Sequence, residues 1–249
     1  LPIRNRRIVQ AIGDDAAVFR CDGDFLHLLT TDLLVERVHF ERATIGGADL
    51  GHKALAANLS DIAAMGGVPQ DAFISIGVPN DCRLEFLDAL YDGMKQLAQQ
   101  YDVNILGGDT TGSKIDLVIN IALTGKVEEN RVRFRNTARP GDTIFCTGWL
   151  GESRAGLHLL ANRLPIDSED LATLRNAHLR PRPHIEEGRF LASCPGVHAV
   201  IDVSDGLSSD LGHIARESRV GGRIFSDRIP VSPPLAEFCR RFDFDPLEM

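Results

Sequence analysis

The chain has 249 residues, 43% of them hydrophobic, enough to bury a sizeable core as one large α/β domain or two ordinary ones. A formal net charge of −8 excludes the concentrated Lys and Arg surface that nucleic acids or anionic membranes require, and no apolar run approaches the roughly 20 residues that span a bilayer. Five scattered cysteines, Cys21, Cys82, Cys146, Cys194 and Cys239, form no C-x-x-C pair and no zinc spacing, which predicts reduced thiols and a cytoplasmic protein. No signal-peptide pattern opens the chain, and its first residue is Leu rather than Met, as in a fragment.

From the N-terminus, "FLHLLTTDLLV" (25–35) predicts a strand and "ADLGHKALAANLSDIAAMGG" (48–67) a helix. A strand in "DAFISIGV" (71–78) precedes a second helix in "CRLEFLDALYDGMKQLAQQYD" (82–102). There Leu84, Leu87, Leu90, Met94, Leu97 and Tyr101 recur at three- and four-residue steps as a core-facing stripe. "VNILGG" (103–108) and "LVINIALTGKV" (117–127) add extended segments, so this half is α/β. A polar, Arg-rich segment and a Pro-Gly turn then lead into a new strand, "DTIFCTG" (142–148), which puts a domain boundary near residue 137. Helices are expected around 151–162, 167–177 and 185–193, followed by a strand–turn–helix in "VIDVSDGLSSDLGHI".

Carboxylates stand where surface acids seldom do. Asp14 and Asp15, Asp32, Asp61, Asp109, Asp202 and Asp205 are flanked by apolar or small residues at strand ends, glycine turns or within a helix. Taken singly, each fits a turn or a helix cap. Asp61 fits less well, because its helical neighbours Ala54, Asn58 and Met65 form a small-residue face beside the Leu55, Leu59, Ile62 stripe. If Asp15, Asp32, Asp61 and Asp109 converge to about 5 Å, each pair repels by roughly 3 kcal/mol at an effective dielectric of ~20. Six such pairs rival the whole stability of a domain, ~5–15 kcal/mol. Convergence therefore requires cations, and an all-oxygen donor set with Thr30 and Thr31 favours a hard ion such as Mg²⁺. The glycine turn of "LGGDTTGS" offers bare N–H groups to phosphate, and the turn from Asp202 to Gly206 offers a helix N-terminus. Neither a Walker loop nor a G-x-G-x-x-G motif is present.

"IGDDAAV", "TTDLLVERVHF", "HKALAANLSDIAAMGGVP", "ILGGDTTGS", "ARPGDTIFCTGWLGESRAGL", "HLRPRP" and "DVSDGLSSDLGHI", in this order and spacing, resemble thiamine-monophosphate kinases. These belong to the superfamily of aminoimidazole ribonucleotide synthetase, selenophosphate synthetase and a hydrogenase maturation factor. The resemblance covers nearly the whole chain. It implies a two-domain α/β (α+β) synthetase-like fold, each domain a mixed sheet flanked by helices. Residues 1–137 would bind ATP and Mg²⁺ and dimerise, and 138–249 would form the C-terminal domain. It also implies ATP-dependent phosphorylation of thiamine monophosphate with several Mg²⁺ ions, in a homodimer.

By the same resemblance, Asp15, Thr30, Thr31, Asp32, Asp61, Asp109, Asp202 and Asp205 match metal positions, with Asp61, Asp109 and Asp32 central to catalysis. Tyr91, Gly108, Asp109, Arg135 and Ser204 match nucleotide contacts, and His39 matches a substrate contact. Without the resemblance, Tyr91 reads as core, Arg135 as a solvated linker charge and His39 as structural. Asp14 would support its neighbour. The family continues past "FDPLEM" into a Gly-Gly-Glu-Asp-Tyr-Glu segment that contacts substrate, whereas this sequence stops at Met249, an apparent truncation of the C-terminal domain.

No Ser-His-Asp or Cys-His pattern stands out, which predicts direct in-line phosphoryl transfer rather than a phosphoenzyme. Two readings compete with the kinase: another ATP-using member of the superfamily, akin to aminoimidazole ribonucleotide synthetase, and a non-catalytic module that binds Mg-nucleotide. Selenophosphate synthetase and the hydrogenase factor are disfavoured by the absence of an N-terminal selenium-handling Cys and of a terminal Cys.

Overall fold

The computed structural model describes residues 5–21 and 23–249. Six strands form one mixed sheet: β1 (Ile8–Gln10), β2 (Ala17–Arg20), β3 (Phe25–Val35), β4 (Val68–Pro79), β5 (Asn104–Ser113) and β6 (Val118–Glu128). Their order across the sheet is β1-β2-β3-β6-β4-β5, with every pair antiparallel except β4 and β5. The parallel pair follows from its connection, since a helix rather than a hairpin joins β4 to β5.

Alternation along β3 and β6 sorts the side chains. Leu26, Leu28 and Leu34 of β3 and Ile119, Ile121 and Leu123 of β6 turn to one face and are buried, while Phe25, Leu29 and Leu33 turn to the other and are exposed. Two helices cover the buried face, α1 (Gly47–Ala64) and α2 (Leu84–Gln100). Leu55, Leu59 and Ile62 of α1 and Leu90, Met94 and Leu97 of α2 complete this core. The helices approach closely because glycines face each other's backbone: a Cβ on Gly51 would lie 2.0 Å from Leu90 O, and one on Gly93 2.0 Å from Ala48 O.

The rest of the chain is helical: α3 (Glu152–Ala161), α4 (Glu169–Leu179), α5 (Ile185–Ser193), α6 (Leu207–Ser218) and α7 (Pro233–Phe242). Leu159, Leu171, Leu174, Leu235 and Phe238 build a second core among α3, α4 and α7. Ser168 and Ser232 cap α4 and α7 by accepting the N–H groups of Leu171 and Leu235. Where α5 meets the end of α1, Arg189 donates to Gly66 O at 2.7 Å and forms a two-pronged pair with Glu128 at 2.8 and 2.9 Å. No described helix is long and apolar enough to cross a membrane.

Three local expectations are corrected. The strand expected over 142–148 and the run before Asp202 form no ladder among the described residues. Extended segments become strands only where another backbone edge pairs with them, and neither has one. "LGGDTTGS" is not a turn but part of β5, which lies at the sheet edge. Its backbone groups on the outer side therefore lack a ladder partner, so the bare N–H groups are supplied by a strand instead.

Candidate active site

Three carboxylates from distant parts of the chain converge. Asp15 lies in the turn between β1 and β2, Asp61 in the last part of α1 and Asp202 in the segment entering α6. One oxygen from each lies within 4.8 Å of the others. α1 is long enough to carry Asp61 past the end of its Leu stripe, toward β3, where Thr30 Oγ1 donates to Asp61 Oδ2. Asp15 is paired with Arg135, whose Nη2 donates to Oδ1 and whose Nε donates to Oδ2 at 3.3 Å. Asp14 supports both partners: it accepts the Arg135 backbone N–H at 3.2 Å and the Asp15 N–H at 3.2 Å.

Burial sets the electrostatics. It pushes Asp61 up to about 8, against the Thr30 hydroxyl and helped by the negative charges of Asp202, Asp32 and Asp15. Asp15 is likewise pushed up to about 8, because burial and Asp202 outweigh Arg135. Asp14 is raised to about 6 by burial, against bonds from Arg135 and Asp15. Asp32 is raised by burial and Asp202, with His39 opposing. Such a group of desolvated oxygens facing one guanidinium fits a hard divalent cation in donor type and in charge. Repulsion within the cluster would fall as the cation binds.

Other expected residues divide. Thr30 and Asp32 share the inward face of β3 with this cluster, but Thr31 turns outward, where its Oγ1 accepts from Asn120 Nδ2 at 2.9 Å. The period of two in a strand separates neighbouring side chains, so the Thr31 hydroxyl does not join Asp61. Asp109 is also outside the cluster: β6 and β4 intervene between β3 and β5, placing it about 14 Å from Asp32 at ~4.8 Å per strand. Of the four acids whose convergence the sequence raised, Asp15 and Asp61 meet, joined by Asp202, with Asp32 close enough to act on Asp61 and Asp109 apart on β5. Asp205 is exposed and lies outside the group of three.

The nucleotide candidates fall in two places. Arg135 and Ser204 adjoin the carboxylates, with Ser204 Oγ donating to Asp202 Oδ2 at 2.9 Å. Tyr91, Gly108 and Asp109 line a separate cavity of about 380 Å³ at β5. Gly108 has φ +151°, and a Cβ there would lie 1.6 Å from Ile74 O, so only glycine lets β5 approach β4 at this point. His39 is exposed; its Nδ1 accepts the Val35 N–H at 3.0 Å, which leaves the neutral ring's proton on Nε2 as a donor.

Asp210 and Ser60 carried no site role in the sequence reading. Asp210 Oδ2 accepts the N–H groups of Ser204, Asp205 and Gly206 at 3.0, 3.1 and 3.1 Å. Those turn donors are therefore occupied, whereas the first-turn N–H groups of α6 itself, Leu207 to Ser209, are not among them. An acid in the first turn of a helix after a glycine was the available signal. Ser60 donates to Asp202 Oδ2 at 2.9 Å, and nothing in the local sequence pointed to it.

Residues 13–127 match the AIR synthase related protein N-terminal domain, and residues 139–249 match the C-terminal domain of the same family. The thiamine-monophosphate kinase of Bacillus subtilis is 37% identical over 235 residues, 94% of this chain and 72% of that protein. The enzyme of the same name from Escherichia coli K12 is 40% identical over 226 residues, 90% of this chain and 68% of that protein. Among solved structures, AaThiL complexed with AMPPCP and TMP superposes with a TM-score of 0.90 at 36% identity, covering 95% of this chain and 74% of that one.

Proposed function

Since the chain belongs to the thiamine-monophosphate kinase family of AIR synthase related proteins, we propose that it transfers the γ-phosphoryl group of ATP to thiamine monophosphate, giving thiamine diphosphate and ADP. A single observation carries this reading for the molecule itself: the meeting of the Asp15, Asp61 and Asp202 carboxylates around one point. An acceptor phosphate oxygen attacks the γ-phosphorus as the bond to the β,γ-bridging oxygen breaks and ADP leaves. A phosphate monoester is largely ionised at neutral pH, so this attack needs little help from a base; the obstacle is bringing two anions together.

Asp15, Asp61 and Asp202 would hold divalent ions, Mg²⁺ by donor type, with Asp32 and the Thr30 hydroxyl beside them. Bound there, such ions supply screening between phosphates and stabilise transition-state charge. Arg135 offers a cation at the same place, fixed by Asp14 and Asp15, and Ser204 a hydroxyl. The Nε2 donor of His39 serves the substrate phosphate. Tyr91, Gly108 and Asp109 give the nucleotide an aromatic ring, an open strand edge and a further carboxylate.

Residues 1–137 are assigned the ATP and Mg²⁺ sites and dimerisation, and residues 138–249 the second domain. The homodimer would form on the sheet face opposite the helices, where Leu29, Leu33 and Phe73 are 41%, 52% and 42% exposed. Five unpaired cysteines suit a cytoplasmic setting.

The test is ADP release followed in steady state with ATP, Mg²⁺ and thiamine monophosphate. ADP formation is expected only with all three present. A protein whose melting temperature rises with Mg-ATP but which forms no ADP when thiamine monophosphate is added would overturn the kinase reading.

A further inference from the structure

We infer that Ser60 is a positioning residue that clips the Asp202 carboxylate against Asp15 and Asp61; this rests on the reading of that cluster as the cation site of the kinase. Asp202 Oδ2 receives two hydroxyl donors, Ser204 Oγ at 2.9 Å and Ser60 Oγ at 2.9 Å. They differ in what they are attached to. Ser204 is two residues from Asp202 and moves with the same turn. Ser60 is 142 residues away and sits on α1 directly before Asp61, anchored by Leu59 and Ile62, both fully buried.

The turn itself has little else to fix it toward α1. Residues 199–203 take part in no ladder, and Asp210 organises the backbone from Ser204 to Gly206 without reaching the first half of the chain. Apart from Ser60, no hydrogen bond among the described residues ties the Asp202 carboxylate to α1. The hydroxyl donated from α1 fixes the carboxylate beside Asp61 and occupies Oδ2. Both hydroxyls bond Oδ2 and neither bonds Oδ1, which is left for a ligand role. Donors that orient a ligating side chain in this way govern metal affinity without touching the metal.

The experiment is a Mg²⁺ titration of the wild type, Ser60→Ala and Ser60→Thr, read as melting temperature without nucleotide and as ADP formation with ATP and thiamine monophosphate. Ser60→Ala is expected to raise the Mg²⁺ concentration at half-maximal effect about tenfold in both readouts. Its melting temperature in EDTA should match the wild type, and Ser60→Thr, which keeps the hydroxyl, should restore the Mg²⁺ midpoint. Should Ser60→Ala fail to fold, Ser60→Cys carries the same expectation with a weaker donor. An unchanged Mg²⁺ midpoint together with a lowered melting temperature in EDTA would mean that Ser60 is merely structural, and would overturn the inference. A shifted midpoint in a protein that forms no ADP would leave this inference standing and remove the kinase reading. A wild type whose melting temperature ignores Mg²⁺ would overturn this inference, while ADP formation alone decides the kinase reading.

Discussion

Arg135 grips Asp15 through its side chain and Asp14 through its backbone: Nε donates to Asp15 Oδ2 at 3.3 Å, and the main-chain N–H donates to Asp14 Oδ2 at 3.2 Å. The pair is well shielded, with the Asp15 side chain fully buried and that of Arg135 18% exposed. Replacing Arg135 by Gln leaves buried carboxylate oxygens without their strongest donor. Unfolding in urea should then show a loss of about 1–3 kcal/mol in metal-free protein. Mg²⁺ should recover part of that loss, because a cation at Asp15 replaces the missing charge. Equal losses with and without Mg²⁺ would separate Asp15 from the cation site.

Asp61 illustrates a site held together against its own repulsion. Burial and three neighbouring acids raise it to about 8, so its ionised form is a burden on the metal-free fold. Asp61→Asn keeps an acceptor for the Thr30 hydroxyl and removes the charge. Metal-free stability is expected to rise by on the order of 1–2 kcal/mol. ADP formation should fall at least about a hundredfold, as for loss of a metal ligand. Full Mg²⁺-dependent turnover in the Asp61→Asn variant would remove Asp61 from the site.

Away from the carboxylates, α1 is tied to α4 by a half-buried basic pair. Lys53 Nζ lies 3.0 Å from His178 Nε2, and Ser153 Oγ lies 3.1 Å from His178 Nδ1. Burial, then Lys53, push His178 down from 6.5 to about 4, and burial pushes Lys53 from 10.5 to about 8. Between pH 6.5 and 4 the unfolded chain binds the His178 proton and the folded chain does not, so stability declines as pH falls through that window. Between pH 8 and 10.5 the same logic makes stability climb with pH as Lys53 deprotonates in the unfolded chain too. His178→Gln should flatten the acid limb of a melting-temperature profile, and Lys53→Met the alkaline limb. Parallel profiles for wild type and variants would show that these groups do not titrate in this way.

Gly108 is predicted to tolerate no side chain. With φ +151° and Ile74 O at 1.6 Å from the position of a Cβ, Gly108→Ala must separate β5 from β4. A loss of at least about 3 kcal/mol is expected from strain and overpacking together. The Mg-ATP thermal shift should be lost with it, since the cavity shared by Tyr91 and Asp109 is built on that contact. Gly112→Ala, in the same strand with open space around it, is the control and should change stability by no more than about 0.5 kcal/mol.

Much of this architecture is written in local patterns. The three- and four-residue steps through Leu87, Leu90, Met94 and Leu97 describe α2, although Leu84, read as part of the same core-facing stripe, is 68% exposed at its first turn; alternation describes β3 and β6, and acids in apolar company mark Asp15, Asp61 and Asp202 as unusual. Helix and strand periods depend only on the backbone's own geometry, which is why they can be read without neighbours. Even the outward turn of Thr31 follows from its place between Thr30 and Asp32 in a strand.

Which acids meet is a different kind of fact. Asp109 looks equivalent to Asp61 in the linear chain, yet two strands separate it from Asp32, while Asp202 arrives from the far end of the sequence beside Asp15. Strand order, the unpaired course of 142–147 and the Ser60 bond to Asp202 all depend on which remote surfaces bury against one another. Those choices are settled by packing and by the pairing of backbone edges across the whole molecule, for which no short stretch of residues contains the information.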